Sequence, residues 1–276
     1  MNEGAIAATF LIVFRETLEA GLIVGIILTT LVKLNQKRYI PYVIISTVSA
    51  VAVSIVASLA LSALTDSLQG NAEKMIEGLI SLAASAILTY MVFWMSAQAK
   101  KMKSDVEMQV EQAVTKGEFF AIMTLPFLAV FREGAETVLF LKAVAIQNSG
   151  AVSFWGGFWG LALAVLTATA LFLGGRKIPV RTFFKLTGFL ILMIAAGLLA
   201  YGIHELEELG WIPQVLYPVW NINHILNEKQ GVGSFLKALF GYNGNPSLVE
   251  VVAYWVYLVW VCAFLKFRKN PSQARI

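Results

Sequence analysis

Arg15-Glu16-Thr17-Leu18-Glu19 and Arg132-Glu133-Gly134-Ala135-Glu136 are two copies of Arg-Glu-x-x-Glu, each in the middle of an apolar run long enough to cross a bilayer. Residues three apart on a helix share a face. Glu16 with Glu19, and Glu133 with Glu136, therefore form two acidic pairs. If the copies face each other, four carboxylates converge, and Arg15 and Arg132 offset only part of that charge. Several oxygens around one point suit a hard, highly charged cation. Arginine can hold such carboxylates by paired hydrogen bonds, and metal arriving at an empty site displaces protons. Each charge at mid-membrane costs about 2.5–3.5 kcal/mol, so six cost roughly 15–20 kcal/mol before pairing. A buried ion-pair network that only fixes helix packing accounts for one copy. It does not account for carboxylates outnumbering arginines in both. Intramembrane ionisable groups read first as an ion or substrate pathway.

The elements that must position these groups are membrane helices. The 276 residues are 58% hydrophobic and 14% charged, with mean hydropathy +0.72. Soluble domains are about 45–50% apolar and about 25% charged. Seven spans are expected, at 5–32, 40–64, 76–97, 119–146, 151–173, 184–206 and 248–267, each near the roughly 20 residues a crossing needs. All should be helices, because lipid cannot satisfy an open backbone. The first run contains Arg15, Glu16 and Glu19, which marks it as a retained helix and not a cleaved signal peptide. The single cysteine, Cys262, excludes an internal disulfide and a cysteine metal cluster.

Orientation follows from the basic residues. Fifteen of the 21 Lys and Arg fall in segments around Lys33–Arg38, Lys100–Lys116, Arg176–Lys185 and Lys266–Arg275, against four (Lys74, Lys142, Lys229, Lys237) on the other side. The positive-inside rule then puts the N-terminus outside and the C-terminus in the cytoplasm. It also explains the pI of about 9.1 without nucleic acid. Nine carboxylates lie on the outer side, which should attract cations.

The motif repeat organises the chain. The two copies lie in helices of opposite direction. Ala50, Ser54, Ser58 and Ser62 on the second helix match Gly156, Gly160, Ala164 and Ala168 on the fifth in spacing. We read an all-α integral membrane protein forming a single transmembrane domain. It has a three-helix repeat over 1–99, a cytoplasmic connector over 100–118 that continues helix three, and an inverted repeat over 119–210. An outer loop follows over 211–247, then a seventh helix with its tail over 248–276. Inverted repeats with a midplane site are a transporter architecture. Within the outer loop, Ser234 is expected to cap a short helix through Phe240.

Arg-Glu-x-x-Glu in the first and fourth of seven helices resembles the high-affinity ferric iron permease (iron/lead transporter) family. That family includes fungal permeases paired with a multicopper oxidase and bacterial iron-uptake permeases. The resemblance extends to length, orientation and the segment Gly202-Ile203-His204-Glu205-Leu206-Glu207-Glu208. It implies import of Fe(III) across the cell membrane. Glu16, Glu19, Glu133 and Glu136 would be the midplane ligands, with Arg15 and Arg132 supporting them. It also implies an outer Glu-x-x-Glu that receives iron, which maps onto Glu205 and Glu208. Spacing alone puts those two on one helix face, with His204 and Glu207 as possible additional ligands. Iron is then the transported substrate and no cofactor is expected. The implied partners are membrane lipid and a separate extracytoplasmic iron donor or oxidase.

Two alternatives stay open. Oxygen ligands do not separate Fe(III) from Fe(II) or Mn(II). An intramembrane carboxylate metalloenzyme is a further class, but di-iron bundles need Glu-x-x-His pairs, which the spans lack. The chain is therefore expected not to be an enzyme. It also lacks the Gly-x-x-x-x-Gly-Lys loop of ATP-driven machinery.

Overall fold

The computed structural model describes residues 3–98, 101–148, 150, 152–173 and 180–269. Within them the chain forms α1 (Glu3–Lys33), α2 (Ile40–Asp66), α3 (Asn71–Gln98), α4 (Met102–Thr115) and α5 (Phe119–Gln147). These are followed by α6 (Phe154–Leu173), α7 (Val180–Glu208), α8 (Gly231–Phe240) and α9 (Leu248–Lys269). Arg176, Lys177, Lys100 and Arg275, part of the basic side inferred from the sequence, lie outside the described residues.

Among the described residues five helices are long and apolar enough to cross a membrane: those at Lys37–Asp66, Asn71–Met95, Phe154–Phe172, Lys185–Glu208 and Leu248–Lys266. The remaining long helices, α1 with 31 residues and α5 with 29, are the ones that carry the charged motifs. A helix of that length spans about 45 Å.

The long helices pair by their small residues. α6 lies along α1, α2 along α5, α3 along α7, and α1 also crosses α5. Gly156, Gly160, Ala164 and Ala168 of α6 are all buried against α1. A Cβ at Gly160 would sit 2.8 Å from the Phe10 carbonyl oxygen, so only glycine permits that approach. On α2 the buried stripe is Val43, Ser46, Ala50 and Ser54, shifted toward the start of the helix from the stripe expected at Ala50–Ser62. Ser46 Oγ donates to the Met123 carbonyl, just before the buried Pro126 of α5. Gly134 of the second motif packs directly on Ser54, and a Cβ there would overlap the serine hydroxyl.

Two short helices close the ends of this bundle. Residues 99 and 100, which join α3 to the connector, lie outside the described residues. α4 is a helix whose Val110 and Ala113 pack on Ile27, Leu31, Val43 and Ile122, and Lys33 reaches Glu107 at 3.2 Å. Its apolar positions recur at helical spacing, which puts them on one face against α1 and α5. At the opposite end α8 begins after Gln230, four residues earlier than the expected cap, and Ser234 lies inside it. The Ser234 hydroxyl instead accepts from the Gly4 amide at 3.1 Å. Ala238 and Leu239 enter the main core with Ile12, Leu88, Phe140 and Leu198. The segment expected as an outer loop therefore contributes to the core.

Replacing Gly134 by Ala should destabilise the protein by about 1–3 kcal/mol through overpacking. Ser54→Gly in the same chain should recover part of that loss. Thermal unfolding of the single and double variants in detergent reads both effects.

Candidate metal centre

α1 and α5 bring the two motifs face to face. Ligand oxygens of Glu16, Glu19 and Glu133 all lie within 4.8 Å of one another, and all three residues are buried. Glu136 is half-buried beside them and is not part of that closest group.

The two arginines behave differently. Arg15 is only 1% exposed. Its guanidinium donates a hydrogen bond to Glu16 and ion-pairs with Glu19, both on its own helix and each at 2.8 Å. The other side of the group points at two thioethers, Met91 Sδ at 3.2 Å and Met95 Sδ at 3.7 Å. Arg132 is 44% exposed at its side chain, bonds Glu136 at 2.9 Å through Nε, and lies over the Trp94 ring at 4.9 Å. Glu133 makes no ion pair among the described residues.

Four motif oxygens, Glu16 Oε2, Glu19 Oε1, Glu133 Oε2 and Glu136 Oε2, are buried with no hydrogen-bond partner, Glu19 Oε1 having only its ion-pair contact with Arg15. A desolvated carboxylate oxygen with no donor is costly, by about 1–3 kcal/mol or more when charged. Four carboxylates against two guanidinium groups leave net negative charge across the two motifs, which a bound cation or protons must offset. Oxygen ligands from two helices suit a hard first-row or larger cation.

Beside the carboxylates lies a cavity of about 1010 Å³ between α1, α2, α5 and α6. Glu16 and Glu133 are on its wall, and it extends along α1 to Thr29 and Lys33 at the end covered by α4. Most of the remaining wall is apolar, with the hydroxyls of Thr17, Ser54 and Thr137 near the carboxylates.

The second group of candidate ligands is arranged differently from the expectation. Glu205 is buried against α3, beside Gly78. Glu208 is half-exposed and pairs with Lys74, and its other oxygen lies 3.2 Å from His204 Nε2. Neither belongs to the close group at this end. That group is His204, Glu207 and Glu250. Met91, Met95, Trp94 and Glu250 are the residues that spacing along the chain did not bring forward. The i, i+4 placement of Met91 and Met95 on α3 was the only visible signal for the first two.

The chain matches the Iron permease FTR1 family over residues 6–268. It belongs to that family. It is 34% identical over 269 residues to a protein of Yersinia pestis named Ferrous iron permease EfeU, covering 96% of this chain and 95% of that protein. It is 33% identical over 252 residues to the protein of the same name from Escherichia coli O6:H1, covering 91% of each. The Yersinia pseudotuberculosis protein of that name is 34% identical over 269 residues, covering 96% of this chain and 94% of it. No solved structure matches. The chain is thus a multi-pass cell-membrane protein of an iron permease family, a family of transporters and not of enzymes.

Arg15 is ion-paired to two buried carboxylates, whereas Arg132 is half in the open. Arg15→Gln should therefore cost about 3–5 kcal/mol of stability, the penalty for stranding buried charge. Arg132→Gln should cost no more than about 1 kcal/mol. Denaturant or thermal unfolding of both variants under one condition gives the comparison.

Proposed function

We propose that this permease moves iron inward through a midplane site whose ligands are Glu16, Glu19, Glu133 and Glu136. The observation that carries this is Glu133: a buried carboxylate with no ion pair, placed against two carboxylates of the other motif helix. Arg15 holds Glu16 and Glu19 in place and leaves an oxygen of Glu16 free for the ion.

α1 and α5 cross the bilayer together with the five apolar spans, giving seven. Pairing supports an inverted repeat. Exchanging α1-α2-α3 with α5-α6-α7 turns the α1–α6 packing into the α5–α2 packing and leaves the α1–α5 and α3–α7 packings as they are. The α8 end faces outside and the α4 end the cytoplasm, in keeping with the basic residues on the α4 side. Iron arrives at the α8 end from a separate extracytoplasmic donor, where Glu208 adds to the acidic rim and Glu205 lies buried behind it. The cavity running from Glu16 to Lys33 is the route of release, and movement of one repeat against the other opens it.

The ion is best read as Fe(II). The resemblance in sequence pointed to Fe(III), but the relatives named above are ferrous iron permeases. Two net negative charges also balance a divalent ion without protons. An oxidase partner belongs to the ferric reading and drops out with it.

Iron-55 uptake by reconstituted vesicles tests this. Ascorbate-reduced iron should enter faster than ferric citrate, and excess Mn(II) should compete weakly. Glu133→Gln should abolish uptake while the folded protein remains in the membrane at its normal amount. Normal uptake by that variant would refute the site, and faster uptake of the ferric form would refute the assignment of the ion. Protons compete with metal for carboxylates. Apparent affinity for Fe(II) should therefore fall as the outside pH is lowered.

A further inference from the structure

We propose that the α8 end holds a second metal site, built from His204, Glu207 and Glu250, where iron is bound before it reaches the midplane. Ligand atoms of these three residues lie within 4.8 Å of one another. Glu207 is 5% exposed and Glu250 3% exposed, so both carboxylates are out of water.

Helix capping explains part of this arrangement. Ser247 and Glu250 cap α9 reciprocally: the Glu250 amide donates to Ser247 Oγ at 3.1 Å, and the Ser247 amide donates to Glu250 Oε1 at 3.0 Å. Asn243 adds a bond to Glu250 Oε2 at 2.8 Å. Capping does not explain Glu207. Its Oε2 accepts from Ser247 Oγ at 2.6 Å, which fixes the carboxylate, and its Oε1 is buried with no partner. Gln147 repeats the pattern. It is 4% exposed, its Oε1 has no partner, and it lines the same cavity of about 220 Å³ as His204 and Glu250. Lys237 also lines that cavity, but it is paired with Glu228 at 3.3 Å.

His204 is oriented as a metal-binding imidazole. Nε2 faces Glu208 at 3.2 Å, and Nδ1 faces Glu250 at 3.0 Å. A ligating histidine commonly donates its other N–H to a carboxylate, which fixes ring and tautomer. Glu208, itself held by Lys74, fills that role for Nε2–H. Nδ1 is then the ligating nitrogen, and any proton it carries leaves as metal arrives. The set is one imidazole and two carboxylates, with Gln147 on the wall of the cavity that His204 and Glu250 also line. It suits a divalent first-row ion and not a soft monovalent one. Two carboxylates and a neutral imidazole balance a 2+ charge.

The site is placed to feed the first one. Gln147 ends the helix that carries Glu133, roughly 20 Å further along its axis at 1.5 Å per residue. Between them α5 presents Phe140 and Val144, both fully buried in the main core. Iron held at His204 is therefore separated from the midplane carboxylates by a packed apolar layer. That the ion is iron rests on the permease reading; that a metal binds here does not.

Anaerobic equilibrium dialysis of Fe(II) against the full chain in lipid nanodiscs tests the proposal. Wild type should bind two ions per chain. Glu16→Gln with Glu133→Gln should bind one, Glu207→Gln should bind one, and the triple variant none. Glu207→Gln keeps the Ser247 bond and the volume, so its fold should survive. In the Glu16→Gln, Glu133→Gln protein, the nitrosyl adduct of bound Fe(II) should show imidazole nitrogen coupling by electron spin echo. His204→Asn should remove that coupling, and His224→Asn, an exposed loop position, should not. One ion in wild type and none in the Glu16→Gln, Glu133→Gln variant would overturn the second site and leave the midplane reading standing. Two ions in Glu207→Gln, or no binding by wild type, would also overturn it.

Discussion

Arg15 is fully buried and ion-paired with two carboxylates, and the rest of the molecule is arranged around keeping it so. A guanidinium in that position cannot shed its proton. It therefore fixes a positive charge at the centre of α1 and obliges acidic groups to stay near it. Bare charge there would cost several kcal/mol per group. The thioethers of Met91 and Met95 fill the remaining side with weak acceptors that add no charge. α3 thus serves the site without supplying a ligand. The second motif has no equivalent wall. Among the described residues Arg132 leans out over Trp94 and pairs with Glu136, so Glu133 faces the first motif without an ion pair. Each motif keeps one carboxylate more than its arginine offsets; in the first both carboxylates contact Arg15, and in the second Glu133 has no ion pair among the described residues.

That division depends on close approach of backbones. Gly134 sits in the second motif and lets α2 press against it through Ser54, while Gly160 lets α6 press against α1. Without a hydrophobic drive between helices in lipid, small residues and short contacts do the holding. The two motif helices are each backed by a small-residue partner, α6 behind α1 and α2 behind α5, and the large cavity lies between those two pairs. α4 and α8 close opposite ends through apolar faces, so both ends of the path are covered by short helices outside the paired bundle.

Much of this was legible in the residues. Charge repeated at one spacing within two apolar runs indicated both the helices and their convergence, because nothing but mutual pairing makes that charge tolerable at depth. The long helices were evident from unbroken hydropathy, and their small-residue stripes marked the contact faces, fully on α6 and in part on α2. What stayed hidden depends on partners distant in the chain. Glu205 and Glu208 share a helix face by spacing, yet Glu208 is drawn off by Lys74, 134 residues away. His204 finds Glu250, 46 residues on, at the start of another helix. The burial of α8 was invisible because the segment around it, broken by Pro213, Pro218 and Pro246, reads as an outer loop with one short helix. Only the Gly4–Ser234 contact and the fit of Ala238 and Leu239 reveal it as core.

The most direct measurement is an iron-loaded crystal or cryo-electron structure, with iron located by its anomalous scattering or density. The account predicts an ion between α1 and α5, bound by oxygens of Glu16 or Glu19 from one helix and Glu133 from the other. Iron held by one motif alone, with the other carboxylates turned away from it in a transport-competent protein, would contradict the account at its centre.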